Sequence, residues 1–221
     1  MKKLLPLILL ISTICSAQNI RSYNISVNQG DESQVGKLFK EFHGKHKRKS
    51  GTITLQRVQF LNDVTHRILL TGNPNNWGWE MQPPESEWQA YRRGNMAYRK
   101  SAPGSYTGKS LYWKDGDRSK YNVGRQWFFK VNDRVKFAAA YVKFAKAIEP
   151  IIGERLMGIG SLEMGDLKGA SHYTVFYGES MNDLELMSDK VRATKAYQEF
   201  IKSNGGSEAI VSFSVRDLIR Y

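Results

Sequence analysis

The four histidines are the side chains of this sequence best suited to acid–base chemistry or to ligation. His66 and His172 each follow a hydroxyl residue, and each opens an apolar segment that closes with glycine at the same spacing. A neutral imidazole is a common metal ligand and titrates close to physiological pH, so either ring is a candidate for a ligand contact. The alternative is a structural histidine at the start of a strand. His43 and His46 lie among Lys and Arg residues. Positive charge there disfavours a bound cation, and we expect these two on a solvated basic face.

The five tryptophans are concentrated in one segment and are interleaved with Tyr, Lys and Arg. Flat aromatic faces stack on rings, and neighbouring cations contact anionic groups. Trp77 and Trp79 fall in an Asn- and Pro-rich loop, and binding residues often lie on loops. We therefore predict a ligand-binding set of Trp77, Trp79, Trp88 and His66, with His172 at the matching place. The alternative is that the tryptophans fill the core of the first half of the chain.

Familiar catalytic signatures are missing from the sequence. It contains no G-x-S-x-G elbow, no H-E-x-x-H, no phosphate-binding glycine loop and no dinucleotide fingerprint. Gly158 and Gly160 fall inside a predicted strand, where glycine marks a bulge or a close backbone approach. No carboxylate pair stands out. The catalytic residues are therefore unknown, enzyme activity is left open, and we predict neither a metal nor a cofactor.

The N-terminus has the pattern of an export signal over residues 1–17. Lys2 and Lys3 precede an apolar run that ends at Ile14, and small residues follow up to Ala17. The run is shorter than the roughly 20 residues that span a bilayer. We expect cleavage after Ala17 and a periplasmic or extracellular protein. Cys15 is the only cysteine, so the mature chain would hold no disulfide; whether Cys15 is lipidated stays open.

The chain is strongly basic, with a net charge of +12 that falls to +10 when Lys2 and Lys3 are removed. Such charge outside the cell favours polyanionic contacts. A cluster of cations occupies the C-terminal end of the first predicted helix, which we expect Gly51 to end, and the helix dipole favours cations there: Lys45, Lys47, Arg48 and Lys49. We predict a polyanion-binding surface there; the alternative is an ordinary solvated face. No nucleic-acid module and no second membrane-length apolar stretch is present.

The periodicity of apolar residues predicts strand–helix–strand–strand–helix–strand twice. We expect a first unit over residues 18–115, a linker over 116–124 and a second unit over 125–221. Asp31 is expected to cap the first helix of the first unit, and either Asn132 or Asp133 the first helix of the second. Asn182, with Glu185 three residues later, is expected to cap a single helix that continues to Gly205.

This element order is the ferredoxin-like one, and its sheet leaves one face bare. Two such units in one chain would cover each other's sheets. The arrangement resembles the dimeric α/β-barrel superfamily in its tandem, fused form. The resemblance implies an α+β fold with two tandem ferredoxin-like βαββαβ units packed as an intramolecular pseudo-dimer. It also implies a small-molecule cavity between sheet and helices, sometimes with a histidine that ligates haem.

Members of that superfamily include cofactor-free monooxygenases, haem-degrading and chlorite-degrading enzymes, and small stress-related proteins. We therefore expect an exported, soluble protein that binds a small aromatic or anionic ligand in an α/β-barrel cavity. One alternative is a cofactor-independent monooxygenase-like enzyme. Another is a surface protein that adheres to polyanions. The oligomeric state is open.

Overall fold

The computed structural model describes residues 18–165 and 167–221, so the predicted export signal and Cys15 lie outside the described residues. The described part is a mixed α+β structure, as expected. Its strands are β1 (Asn19–Val27), β2 (Thr52–Gln59), β3 (His66–Gly72), β4 (Arg99–Ser101), β5 (Ser105–Lys114), β6 (Val123–Val131), β7 (Met157–Met164), β8 (His172–Gly178) and β9 (Ser207–Arg220). Its helices are α1 (Glu32–His43), α2 (Glu85–Ala97), α3 (Arg134–Ile152), α4 (Met181–Arg192) and α5 (Lys195–Ser203), with a 3₁₀ turn at Pro74–Asn76.

All strands except the short β4 close into one antiparallel barrel. The hydrogen-bonded order is β3-β2-β9-β6-β8-β7-β5-β1, and β1 pairs again with β3. Strands of the first half (residues 18–115) lie side by side, as do those of the second half (residues 123–221). The two halves join at the pairs β2–β9 and β5–β7. Closure gives every edge strand of each half a partner, which removes the unpaired backbone groups of an open sheet.

Helices cover the outside of the barrel in both halves. In α1, Val35 and Phe39 lie on one face and pack on Ile25, Leu55 and Ile68 of the strands beneath. In the second half, α3 covers β7 and packs on α5, while α4 lies against β8. Period-2 alternation in the strands sends the opposite side chains into the barrel. Both faces of the sheet are therefore buried.

One capping bond and two helix boundaries differ from the sequence prediction. Asp31 stands at the N-cap of α1, but its side chain makes no capping bond. The last helical region is broken because Thr194 accepts a hydrogen bond from the Tyr197 N–H and starts a new helix, α5. The cap of α4 is Ser180 rather than Asn182, since the Ser180 hydroxyl accepts from the Asp183 N–H. Of the two residues predicted to cap α3, Asp133 does so.

The two strand glycines of β7 mark a close approach of aromatic rings to the backbone. A Cβ added at Gly160 would lie within 2.4 Å of the Tyr173 ring, and one at Gly158 within 2.4 Å of the Trp113 ring. The strand β5, opposite Gly160, carries a register shift between Ser110 and Tyr112. The close approach expected of these glycines is therefore present, whereas the bulge lies in the neighbouring strand, at Leu111 of β5.

Among the described helices, none has the length and apolar character needed to cross a membrane.

Candidate functional site

A cavity of about 280 Å³, called here the helix-side cavity, lies between the outer face of β6 and β8 and the helices α3, α4 and α5. Small-molecule sites generally measure about 300–1,000 Å³, so its size suits a small ligand. Aromatic rings dominate its lining: Trp127, Phe129, Tyr141, Phe144, Phe176, Tyr197 and Phe200.

Strand alternation and helical spacing place these rings around the cavity. Trp127 and Phe129 point outward from β6, while Phe128 between them is fully buried inside the barrel cluster. On α3, Tyr141 and Phe144 share one face. Phe144 stacks on Phe200 of α5, with ring centroids 5.3 Å apart. Because α5 begins as a separate helix after its N-cap Thr194, the face that carries Phe200 is directed toward α3.

Few polar groups face the helix-side cavity, and most are already engaged. The Tyr141 hydroxyl donates to the Gly158 carbonyl at 3.2 Å, and burial raises the pKa of Tyr141 far above its usual range. Asn204 accepts from the Gly206 N–H at 2.9 Å. Thr174, Ser188, Arg192 and Ser207 also contribute polar groups to the lining. The cavity therefore suits an apolar, aromatic molecule with a single polar group rather than a sugar or a nucleotide.

The donors of the helix-side cavity do not fit a haem ligated by histidine. No histidine lines it. His172 lies on the same face of the sheet, but its Nδ1 is 3.0 Å from the Ser171 hydroxyl and its ring is edge-on to Phe137. Within residues 18–165 and 167–221 no cluster of three metal-ligating side chains was found.

His66 and His172 occupy closely matching surroundings. The Val27 N–H donates to the Thr65 hydroxyl at 2.9 Å, and the Val131 N–H donates to the Ser171 hydroxyl at 3.3 Å. Each of these hydroxyls is 3.0 Å from the Nδ1 atom of the histidine that follows. Burial lowers the pKa of both histidines. The Thr65 hydroxyl therefore links the start of β3 to the end of β1, and the Ser171 hydroxyl links the start of β8 to the end of β6.

The tryptophans of the predicted ligand set lie together in the first half, in what we call the α1–α2 aromatic cluster: Phe42, His43, His46, Trp77, Trp79, Trp88 and Tyr91. Phe42 is at its centre, with Tyr91 stacked at 4.5 Å between centroids. Trp88 and Trp79 lie at 5.5 Å and 5.8 Å from the same ring. Trp77, Trp79 and Trp88 are half-buried and lie outside the apolar core of the first half, which they were alternatively expected to fill.

Trp77 lies at the edge of this cluster, between two guanidinium groups. Arg21 is 4.5 Å and Arg48 is 4.9 Å from the Trp77 ring centroid, and Arg48 also lies 5.5 Å from Trp79. The structure does not bring His66 to the tryptophans. Trp77 packs beside Gly72 at the end of β3, whereas His66 starts that strand, roughly 20 Å away at the usual rise per residue. His172 lies in the other half.

His43 has the most perturbed titration of this cluster. Burial lowers its pKa to about 3, and Arg48 and His46 act in the same direction. Its Nε2 is 3.1 Å from the Tyr91 hydroxyl, whereas its Nδ1 is buried without a hydrogen-bond partner. Burial also raises the pKa of Tyr91 to about 12. His43 is thus a neutral, buried ring rather than part of a solvated basic face, and that expectation is corrected.

The predicted polyanion-binding residues were expected at the C-terminal end of the first helix, but they lie in the loop after it, because α1 ends at His43. Lys45, Lys47 and Lys49 are exposed. Arg48 instead turns inward onto the tryptophans, and its backbone forms an isolated bridge with Trp79. The exposed basic group is therefore made of the three lysines alone.

Sequence reasoning missed the residues of the helix-side cavity. By spacing alone, Tyr141 and Phe144 share one apolar face of a helix, which is equally typical of a filled core. Only the separation between α3, α5 and the sheet shows that space remains between them. Arg67 was also missed. A lone cation inside the apolar strand His66–Gly72 was the available signal.

Comparison with solved structures places the chain in the dimeric α/β-barrel fold. A candidate monooxygenase from Lactobacillus acidophilus matches with a TM-score of 0.60 at 12% identity, over 92% of this chain and 94% of that one. A candidate monooxygenase from Fusobacterium nucleatum matches with a TM-score of 0.60 at 10% identity, over 94% and 95%. A haem-binding protein from Thermus thermophilus matches with a TM-score of 0.54 at 10% identity, over 92% of each chain. No protein-family model and no curated protein sequence matches the chain.

Proposed function

We propose that this protein binds a small aromatic molecule in the helix-side cavity. The observation that carries the proposal is the frame of aromatic side chains around about 280 Å³ of space, with few free polar groups. Burial of apolar ligand surface supplies the affinity, at about 25 cal/mol per Å². Thr174, Ser188 and Arg192 are placed to orient one polar substituent. Similarity to candidate monooxygenases and to a haem-binding protein supports a small-molecule role.

Binding of 1,4-naphthoquinone tests this proposal, because a bound quinone quenches nearby tryptophan emission. Trp127 lines the helix-side cavity, so wild-type protein should show saturable quenching that is insensitive to salt. Trp127→Phe should lose most of the quenching while calorimetry still detects binding. Absence of saturable binding in the wild-type protein would contradict the proposal.

Two substitutions on α4 provide a matched pair for the same assay. Ser188 lines the helix-side cavity, and Ser188→Phe should fill it and weaken quinone binding at least tenfold. Leu186 lies on the same helix but is 66% exposed, so Leu186→Phe should leave affinity unchanged. Equal affinity of the two variants would place the quinone elsewhere on the molecule.

A cofactor-independent monooxygenase is the second candidate function, favoured by the similarity to candidate monooxygenases over nearly the whole chain. Such a reaction converts a substrate methylene and O₂ into a carbonyl and water, so the substrate itself supplies the electrons. We expect oxygen uptake with anthrone above the uncatalysed rate, lost in Ser188→Phe and kept in Leu186→Phe. If the protein binds naphthoquinone but takes up no oxygen with anthrone, the proposed binding function stands and the proposed monooxygenase activity is refuted.

We also infer that the chain is a tandem fusion of two ferredoxin-like units. The matched hydroxyl–histidine pairs Thr65–His66 and Ser171–His172 support this inference, as does the equivalent strand order of the two halves. The halves expressed as separate chains, cut between β5 and β6, should assemble into a one-to-one complex. Failure of co-expressed halves to co-purify would count against it.

Export and polyanion attachment are further proposals. The exposed Lys45, Lys47 and Lys49 favour attachment. Heparin affinity should fall with added salt and on replacing these lysines by glutamine, and it should survive replacement of three exposed lysines elsewhere, Lys130, Lys136 and Lys146. Mass spectrometry of the secreted or periplasmic fraction should give Gln18 as the first residue if residues 1–17 direct export.

A further inference from the structure

A second cavity of about 150 Å³, called here the barrel cavity, lies inside the closed barrel. The sheet strands β6 and β8 separate it from the helix-side cavity, since alternate residues of these strands face the two spaces. An apolar cluster that includes Val58, Phe128 and Phe213 fills another part of the interior. The barrel cavity is lined by polar groups, among them Thr54, Gln126 and Tyr177, together with apolar side chains such as Leu69 and Val175.

Arg67 lies in this cavity and is only 2% exposed. Its Nε donates to Gln56, and its Nη1 donates to the Tyr106 hydroxyl at 2.8 Å and to Gln126 at 2.6 Å. All three partners are neutral. Among the described residues, no carboxylate lies within ion-pair distance of Arg67. A buried cation whose contacts are all neutral retains a strong preference for an anion.

Two further arginines stand nearer the surface. Arg118 has 24% of its side chain exposed, and Arg220 is exposed at the end of β9. Both line the barrel cavity. Register places Arg220 opposite Thr54 and Asp217 opposite Gln56, which in turn faces Arg67. The guanidinium groups thus run from the surface to the buried end of the cavity.

The nearby carboxylates are already engaged. Asp217 accepts from the Gln56 amide and from Arg118, the latter at 3.3 Å. Asp115 accepts from the Trp113 indole N–H at 2.9 Å. The three arginines outnumber these two carboxylates. The remaining positive charge, together with amide and hydroxyl donors in a small space, matches a small anion with oxygen acceptors.

We propose that the barrel cavity binds a small oxyanion, a carboxylate or a phosphate, with Arg67 at its buried end and Arg118 and Arg220 at its entrance. Guanidinium groups form paired hydrogen bonds with both kinds of anion. The cavity volume excludes nucleotides and oligosaccharides. This site is distinct from the aromatic-ligand site and takes a different class of molecule.

Calorimetric titration with inorganic phosphate and with acetate, at constant ionic strength in chloride, tests the proposal. At least one should bind the wild-type protein saturably and raise its Tm. Stronger binding of acetate would identify a carboxylate site, and stronger binding of phosphate a phosphate site. Absence of saturable heat for both up to about 10 mM would overturn the proposal.

Substitutions on β9 make the test specific to the cavity. Arg220→Gln should weaken anion binding at least tenfold, and Arg216→Gln, which removes the same charge from an exposed position on the same strand, should change it less than twofold. Equal effects would show nonspecific attraction and overturn the proposal. Arg67→Met should abolish binding; if that variant does not fold, Arg220→Gln and Arg118→Gln decide the outcome.

Trp113 provides an independent readout of the site. The Arg118 guanidinium lies 5.2 Å from its ring centroid, so an anion that draws Arg118 inward should change Trp113 emission. Trp113→Phe should remove the emission change and keep the heat of binding. Naphthoquinone affinity should be unaffected by Arg220→Gln, which separates failure of this site from failure of the helix-side cavity.

Discussion

His43 should make the protein lose stability as the pH falls below neutrality. Its folded-state pKa is lowered from 6.5 to about 3. The unfolded chain therefore takes up a proton near pH 6.5, whereas the folded chain resists it until about pH 3. The contribution of His43 is fully present above pH 6.5 and is lost as the pH falls toward 3.

The size of the loss follows from the difference between the two pKa values. Each pH unit in this interval costs about 1.4 kcal/mol for one proton. Between about pH 8 and about pH 4.5 the free energy of unfolding should fall by about 3 kcal/mol through His43 alone. The lower limit of pH 4.5 keeps most carboxylates ionised. His66 and His172 add to the loss in wild-type protein, since burial lowers the pKa of both.

A pair of variants isolates the contribution of His43. Tyr91→Phe removes the hydroxyl that contacts His43 at 3.1 Å, and His43→Phe in that background then removes the imidazole without leaving a buried hydroxyl unpaired. Urea unfolding should show about 3 kcal/mol less loss between about pH 8 and about pH 4.5 in the double variant than in Tyr91→Phe. In wild-type protein, NMR signals of the His43 ring should not titrate above about pH 4.5. Identical pH dependence of the two variants would refute the reasoning.

Three substitutions test packing and capping by urea unfolding. Gly160→Ala should cost about 1–3 kcal/mol, because its Cβ would meet the Tyr173 ring within 2.4 Å. Gly36→Ala in α1 should instead stabilise the protein by about 0.5–1 kcal/mol, because the added Cβ would have only Ile219 nearby, at 3.9 Å. A loss of stability in this variant would contradict the packing described around Gly36. Asp133→Ala should cost about 1 kcal/mol, because Asp133 accepts the Lys136 N–H, and an unchanged unfolding midpoint would deny that cap.

Most of the secondary structure could be predicted from local sequence. The strands starting at His66 and near His172, and the long helix after Asp133, follow from period-2 and period-3.6 patterns and a capping residue. The α+β class and the barrel resemblance came from element order. The prediction of helix boundaries was wrong where one side chain could serve either as part of a helix face or as a helix cap. Thr194 fits an apolar helix face by spacing, yet its hydroxyl caps α5 and breaks the helix.

The candidate sites were only partly predictable, because a cavity is a property of distances between elements. Trp77, Trp79 and Trp88 were predicted to bind a ligand together with His66, but their rings pack mainly on Phe42, on His43 and beneath Arg48. The unfilled space lies in the other half, around residues such as Tyr141 and Phe144, whose spacing is equally typical of a filled core.

The sequence by itself determined the helices and strands of this protein and which face of each is apolar, since these depend on residues a few positions apart. Only the tertiary structure decided that β2 meets β9 and β5 meets β7. Those pairings close the barrel and enclose Arg67 with neutral partners. Charged and buried side chains form a binding site only when residues far apart in sequence, such as Arg67 and Arg220, face the same small cavity.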